Sequence, residues 1–180
     1  MQSMIRISVM ALAFFMLASD GLFAQKFPGL DKSPADIAYL RSGDRKAVAK
    51  VVYSRPQKKG REVMGGLIPE GKVWRTGANE ATEITFFQDV KFGGKEVKAG
   101  TYSLFTIAGE EEWTVILNTD LNQWGAYSYQ DGHDLLRVKA SPKQTADEIE
   151  AFTITFDKTE GGSNLILAWD RVMVPVLVSW

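Results

Sequence analysis

The chain has 180 residues, no cysteine and a formal net charge of −1 at pH 7. A chain without cysteine forms no disulfide and performs no thiol chemistry, so a hydrophobic core must stabilise its fold. Because its positive and negative charges nearly balance, the sequence favours neither nucleic acid nor an anionic membrane surface as a partner.

The first 24 residues have the pattern of a secretory signal peptide. Arg6 supplies a positive charge, residues 7–18 form an apolar run, and Ala24 ends a short segment of polar and small residues. This run is shorter than the roughly 20 residues that cross a bilayer as a helix. We therefore expect cleavage after Ala24, export to the periplasm or the extracellular space, and no membrane span in the mature chain.

The segment after the predicted cleavage site, residues 25–45, is interpreted as an extended lead-in. It contains Pro28 and Pro34 and few periodic apolar positions. The alternative is a short helical turn over residues 33–39, because proline is favoured at the first position of a helix. The remaining residues, 46–180, have a length suited to one domain with its own core.

Residues 46–180 predict an all-β domain with little helix. Short runs of alternating or β-branched residues recur between turn-forming residues, and no helical period is present. Strands are predicted at 46–54, 82–88, 100–107, 113–118, 136–140, 152–156, 165–169 and 172–178, with a hairpin over 89–97 that turns at Gly93 and Gly94. Turns are predicted at 144–147, 161–164 and 170–171, and Pro175 predicts an edge or a bulge in the last strand. About nine short strands spaced in this way are typical of an antiparallel β-sandwich or jelly roll.

Two long segments, residues 55–71 and 119–135, lack any hydrophobic period and are predicted to be loops. Loops of this length in a compact domain are usually mobile or functional. A polar and aromatic stretch, residues 74–83, follows the first loop and leads into a strand. We expect this stretch and the two loops to form any binding site at one rim of the sandwich.

Four motifs resemble those of a bacterial family, largely of exported proteins, that is catalogued as domain of unknown function 2911. They are Tyr-Ser-Arg-Pro at residues 53–56 with Gly60 and Arg61, the run Gly-Lys-Val-Trp-Arg-Thr-Gly-Ala-Asn-Glu-Ala-Thr at 71–82, Ala-Gly-Thr-Tyr-Ser-Leu-Phe at 99–105, and Trp-Gly-Ala-Tyr at 124–127. The resemblance extends over residues 33–178. It supports the domain boundaries, and it implies no activity.

Arginine and glutamate side chains are the first candidates for a site. Arg55, Arg61 and Arg75 could converge and bind an anion through their planar guanidinium groups. The alternative is that each pairs with a glutamate or a carbonyl and pins the loops. Glu80 and Glu83 could act as the two carboxyl groups of a glycosidase, but three positions apart in a strand they would face opposite sides unless a turn intervenes.

Aromatic and amide side chains complete the predicted ligand-binding set, which is Arg55, Arg61, Trp74, Arg75, Asn79, Glu80, Glu83, Trp124 and Tyr127. Aromatic rings in the loops of a sandwich can stack on sugar rings, although tryptophan more often fills the core. Asn79 is equally suited to shaping a turn, because asparagine tolerates positive φ.

The sequence predicts no metal site and no cofactor. His133 is the sole histidine, no Gly-x-Ser-x-Gly nucleophile motif is present, and Asp120, Asn122, Asp131 and Asp134 lack the spacing of a known calcium loop. These features favour a binding module for a small polar or anionic ligand, a glycan or an envelope protein over an enzyme.

Two alternatives remain. One is an envelope hydrolase that uses the Glu/Arg cluster, and the other is a structural domain whose polar motif only joins loops. We expect Arg75→Ala to lower stability as well as any ligand binding, because a buried partner of the guanidinium would be left unpaired.

Overall fold

The strands of the domain form two antiparallel sheets. The computed structural model describes residues 25–180, and the predicted signal peptide lies outside these described residues. The strands are β1 (Ala35–Arg41), β2 (Ala47–Ser54), β3 (Val73–Trp74), β4 (Thr82–Phe86), β5 (Val90–Phe92), β6 (Lys95–Val97), β7 (Gly100–Ile107), β8 (Trp113–Asn118), β9 (Asp134–Ala140), β10 (Lys143–Thr159) and β11 (Gly162–Ser179). The larger sheet has the order β1-β2-β4-β7-β8-β9, with β3 also paired to β7, and the smaller has the order β10-β11-β5-β6. The predicted all-β sandwich is therefore confirmed.

Side-chain alternation along the larger sheet places the core between the two layers. In β7, Leu104 joins the main core and Phe105 joins a second cluster on the opposite face. The paired strand β8 follows the same rule, because Leu117 lies on the core side and Ile116 on the other. Both strands are buried on both faces because residues outside the sheet cover the second face.

A three-ring aromatic group occupies the core between the sheets. The Trp74 ring stacks on Trp169 with their centroids 6.1 Å apart, and it meets Phe152 edge-on at 5.1 Å. Trp74 belongs to the larger sheet, whereas Trp169 and Phe152 belong to the smaller. Large buried rings dominate the energetics of a core, so this group joins the two layers.

The smaller sheet contains two strands much longer than expected. β10 has 17 residues and β11 has 18, and they form one hairpin. The predicted turns at 144–147 and 170–171 are wrong, because both segments lie inside these strands. The register of the hairpin shifts around Ile149, which pairs with Asp170, and Asp170 has φ of 54°. A bulge at this place bends the strands without ending them.

Pro175 lies in a strand that has neighbours on both sides. Pairing with β10 ends at Met173, and pairing with β5 begins at Val178. Pro175 falls between the two ladders, where its missing N–H removes no ladder hydrogen bond. Proline is therefore tolerated here although β11 is not an edge strand of its sheet.

The segment interpreted as a lead-in, residues 25–45, contributes a strand. Ala35–Arg41 forms β1 and pairs with β2, so the alternative of a helical turn at 33–39 is wrong. Residues 31–180 form one compact unit. None of the helices found within residues 25–180 has the length and apolar character needed to cross a membrane.

The first long loop, residues 55–71, is packed against the sandwich. Val63 and Ile68 are buried in the main core. Within the loop, Ile68 donates its N–H to the Val63 carbonyl at 2.8 Å. Isolated bridges tie Gln57 to Ala151 of the smaller sheet and Glu70 to Ala108, beyond the end of β7. The loop is thus a fixed connector between the layers.

Candidate functional site

Two segments distant in sequence meet at one rim of the larger sheet. Glu80 and Trp124 pair in an isolated antiparallel bridge. The Ala81 N–H donates to the Gln123 carbonyl at 2.8 Å, and the Gly125 N–H donates to the Asn79 carbonyl at 3.0 Å. The predicted turn at 74–83 and the second long loop are therefore joined through their backbones.

The turn before β4 is held by threonine hydroxyls and unusual backbone angles. Thr82 Oγ1 donates to the Thr76 carbonyl at 2.6 Å, and both side chains are buried. Thr76 and Asn79 have φ of 55° and 58°, in the left-handed region. A Cβ on Gly77 would lie 3.0 Å from the Ser54 carbonyl oxygen, so the turn packs closely against β2. This geometry sets where Glu80 and Glu83 point.

A cleft of about 210 Å³ opens beside this turn. It is lined by Ala35, Val52, Tyr53, Ser54, Glu80, Ala81, Glu83 and Asn122. Glu80 and Glu83 reach the same cleft because β4 begins only at Thr82, which leaves Glu80 in the turn. The alternation that would have separated the two carboxylates does not apply to a residue outside the strand. Hereafter these residues are called the Glu80–Glu83 cleft.

The second long loop supplies the far wall of the cleft. Glu83 Oε1 accepts the backbone N–H of Asn122 at 2.7 Å. Two residues later the loop presents Trp124, which is 62% exposed, and then Tyr127, which is 85% exposed. Neither ring lines the cleft, but the bridge between Glu80 and Trp124 places the loop that carries both rings at its rim.

Gly125 determines how the exposed tyrosine is presented. It has φ of 69°, and a Cβ at this position would lie 2.8 Å from Tyr127 Cε2. The Tyr127 ring therefore lies directly against the glycine backbone, in a place that a side chain would occupy. Left-handed φ and close approach of a ring both require glycine here.

Arg55 is occupied by contacts within the fold. Its Nε donates to the Phe152 carbonyl at 3.0 Å, one terminal nitrogen to Asp36 Oδ2 at 3.1 Å, and the other to Thr153 Oγ1 at 2.8 Å. These partners belong to β1 and β10, so the guanidinium links the larger sheet to the smaller. Arg55 therefore stabilises the fold through contacts with protein oxygens, which was the alternative to anion binding in the sequence analysis.

The other predicted arginines do not form a cluster with Arg55. Arg61 donates to the carbonyls of Lys58 at 3.0 Å and Gln57 at 2.6 Å, within its own loop. Arg75 makes no side-chain hydrogen bond or ion pair within residues 25–180, and its Nε is buried without a partner there. The buried partner assumed in the sequence-based stability prediction for Arg75 is thus missing from the described residues.

Two more of the predicted site residues, Trp74 and Asn79, make contacts that stabilise the fold. Trp74 is only 4% exposed and belongs to the aromatic core, so its ring does not face the Glu80–Glu83 cleft. Asn79 shapes the turn and donates its side-chain amide to Asp31 Oδ1 at 3.1 Å. The Ser33 N–H and this amide lower the pKa of Asp31 by stabilising its charged form.

A polar network that the sequence did not predict holds the second long loop over the sheet. Asp134 accepts hydrogen bonds from Asn118 Nδ2 at 2.9 Å, Tyr129 Oη at 2.7 Å and Arg137 Nε at 2.7 Å. Its side chain is only 8% exposed. Burial, followed by the hydrogen bond to Asp134, raises the pKa of Tyr129 to about 12. The sequence signal was weak because these residues come from three separate segments.

The apolar half of the same loop covers the outer face of the larger sheet. Ala126 and Tyr129 pack against the second cluster, which contains Phe105 and Ile116, and the Tyr129 ring meets Phe105 edge-on at 5.0 Å. His133 Nδ1 lies 2.7 Å from Asp120 Oδ2 across the base of the loop. Packing and polar contacts together fix the loop that carries Trp124 and Tyr127.

The acidic and histidine side chains in and beside the loop form hydrogen bonds with other residues of the same chain. Asp120 contacts His133, and Asp134 contacts Asn118, Tyr129 and Arg137. Among residues 25–180 no group of three or more histidine, aspartate or glutamate side chains is arranged to hold a metal ion.

One family model matches the chain, over residues 33–178, and is described as a protein of unknown function (DUF2911). The chain belongs to this family. The match covers all four motifs noted in the sequence and both segments that build the Glu80–Glu83 cleft. No significant match was found among curated proteins or solved structures.

Proposed function

We propose that this DUF2911 domain is an exported binding module that holds a neutral glycan at the Glu80–Glu83 cleft. A single observation carries the proposal: two carboxylates and an exposed Trp124–Tyr127 pair lie on segments that the backbone joins at one rim. Carboxylates accept hydrogen bonds from hydroxyl groups, and aromatic faces bury the apolar faces of sugar rings. Export remains a prediction from residues 1–24.

The charge of the cleft disfavours an anionic ligand. Both titratable carboxyl groups that line it are glutamates, and no lysine or arginine of residues 25–180 lines it. Arg55 and Arg61 donate to protein oxygens elsewhere. An anion would meet like charge without a compensating guanidinium, which is unfavourable. A ligand with hydroxyl donors and no negative charge fits these groups better.

Isothermal titration calorimetry of the purified protein with neutral and anionic oligosaccharides tests the proposal. We expect at least one neutral oligosaccharide to bind and its acidic counterpart to bind at least tenfold more weakly. Trp124→Ala should abolish binding, whereas Trp180→Ala, which removes another exposed tryptophan, should leave it unchanged. Absence of binding across the neutral set, or equal loss in both variants, would contradict the proposal.

A second function is favoured by the shared position of Glu80 and Glu83. Two carboxyl groups on one cleft are the minimum that a glycoside hydrolase needs. Glu83 already accepts the Asn122 N–H, so Glu80 would be the group free to transfer a proton. Prolonged incubation with a bound oligosaccharide distinguishes the functions: a hydrolase releases reducing ends and loses this activity in Glu80→Gln, and a binding module releases none.

A further inference from the structure

A groove of about 480 Å³ lies away from the Glu80–Glu83 cleft, between the two sheets and the first long loop. Its lining comes from the 55–71 loop, from the β7–β8 connection and from the smaller sheet. The lining includes Glu62, Met64, Glu70, Glu110, Gln144 and Val172. It shares no lining residue with the Glu80–Glu83 cleft. Its volume falls in the range of about 300–1,000 Å³ that small-molecule sites occupy.

The walls of the groove are partly polar and partly apolar, and all of their charged side chains are negative. Met64 and Val172, which are partly exposed, supply apolar surface, and the exposed Glu62, Glu70 and Glu110 supply three carboxylates. No lysine or arginine of residues 25–180 lines the groove. These three carboxylates form no ion pair in the described residues, whereas the nearby Glu112 pairs with Lys139 at 2.9 Å. Three like charges around one concavity repel each other, and a cation would relieve that repulsion.

The walls of the groove are built on fixed elements. The Gly71 N–H donates to the Ala108 carbonyl at 2.9 Å, which holds the loop carrying Glu70 against the end of β7. The Leu67 N–H donates to the Glu62 carbonyl at 3.1 Å, and a Cβ on Gly66 would lie only 3.1 Å from the Glu62 carbonyl carbon. Preformed walls allow a ligand to bind without first ordering a loop.

We propose that this groove binds a small organic ammonium ion that carries an apolar body. The apolar body would lie against Met64 and Val172, and the ammonium group would lie among the three carboxylates. Charge complementarity and the apolar lining together select this ligand class over a neutral or anionic one.

Calorimetric titration with 2-phenylethylammonium, 2-phenylethanol and calcium chloride tests the proposal. We expect the ammonium ion to bind, the neutral alcohol to bind at least tenfold more weakly, and salt to weaken binding of the ammonium ion. Calcium should neither bind nor compete. Failure of the ammonium ion to bind, equal binding of the alcohol, or competition by calcium would each overturn it.

Variants locate the binding to this groove. The double variant Glu70→Gln with Glu110→Gln should weaken binding of 2-phenylethylammonium at least tenfold, and Gln144→Trp should block the groove sterically. Glu111→Gln removes an exposed carboxylate of the same connection that does not line the groove, and it should bind as the unaltered protein does. Circular dichroism confirms that each variant is folded. Binding that survives both groove variants in folded protein would overturn the assignment.

Discussion

The backbone of Glu80 is paired with that of Trp124 in an isolated antiparallel bridge. This pairing brings a carboxylate of the Glu80–Glu83 cleft next to the loop that carries the exposed aromatic pair. Because the contact is between backbones, the bridge can still form when either side chain is replaced. Changes to the backbone conformation of the loop are therefore the sharper test of its role.

Gly125→Ala should weaken both stability and binding at the cleft. A Cβ would lie in a left-handed backbone and 2.8 Å from Tyr127 Cε2, so the ring must move. We expect a loss of about 1–2 kcal/mol in the free energy of unfolding. Urea denaturation measures it, and titration with the neutral oligosaccharide measures the binding. Gly132→Ala is the matched control, because a Cβ there meets no atom within 4 Å. Equal effects of the two variants would contradict the prediction.

Arg55→Ala should destabilise the domain by about 1–3 kcal/mol, because the Phe152 carbonyl and the partly buried Thr153 hydroxyl in β10 lose their donor. Arg55→Lys should not restore stability, since an ammonium group cannot reach three acceptors as a planar guanidinium does. Arg61→Ala is the control and should change stability by less than about 0.5 kcal/mol. Thermal and urea denaturation give these values. If the Arg55→Lys variant is as stable as the unaltered protein, the planar guanidinium group is not required for stability.

Arg75 now leads to a different expectation from the one its sequence context suggested. Its Nε is buried without a partner in the described residues, which costs free energy in the folded state. Arg75→Met keeps an apolar side chain and removes that nitrogen. We therefore expect the free energy of unfolding of the variant to equal or exceed that of the unaltered protein. Urea denaturation of the variant provides the measurement. A loss of more than about 1 kcal/mol would mean that Arg75 has a stabilising partner, as the sequence-based prediction assumed.

Stability at alkaline pH should depend on Tyr129. Its pKa is raised from 10.0 to about 12, because burial and Asp134 disfavour the phenolate. The unfolded chain loses this proton near pH 10 and the folded chain near pH 12, so the stabilisation is complete below about pH 10 and declines between these values. Urea denaturation from pH 8 upward should show this decline in the unaltered protein and a smaller one in Tyr129→Phe. Tyr127→Phe, exposed in the same loop, should decline as the unaltered protein does.

Local sequence patterns were sufficient for much of the fold. The turn at Gly93 and Gly94 pairs β5 with β6 as predicted, and β7 pairs with β8 as predicted. Both are contacts between neighbours in the chain, where alternation and turn residues carry the information. The pattern failed at 170–171, because a polar pair inside a long strand has the same composition as a turn. Only the ladder with β10 decides between a bulge and a turn.

The sequence by itself determined the all-β class, the absence of disulfides and the segments in which polar and aromatic side chains concentrate. The tertiary structure alone decided which of those side chains share a surface. It placed Arg55 across two sheets and Trp74 in the core, and it brought Glu80, Glu83 and the Trp124 loop to one rim. The physical reason is that strand pairing joins segments tens of residues apart, and the identity of the partner strand is not encoded in local periodicity.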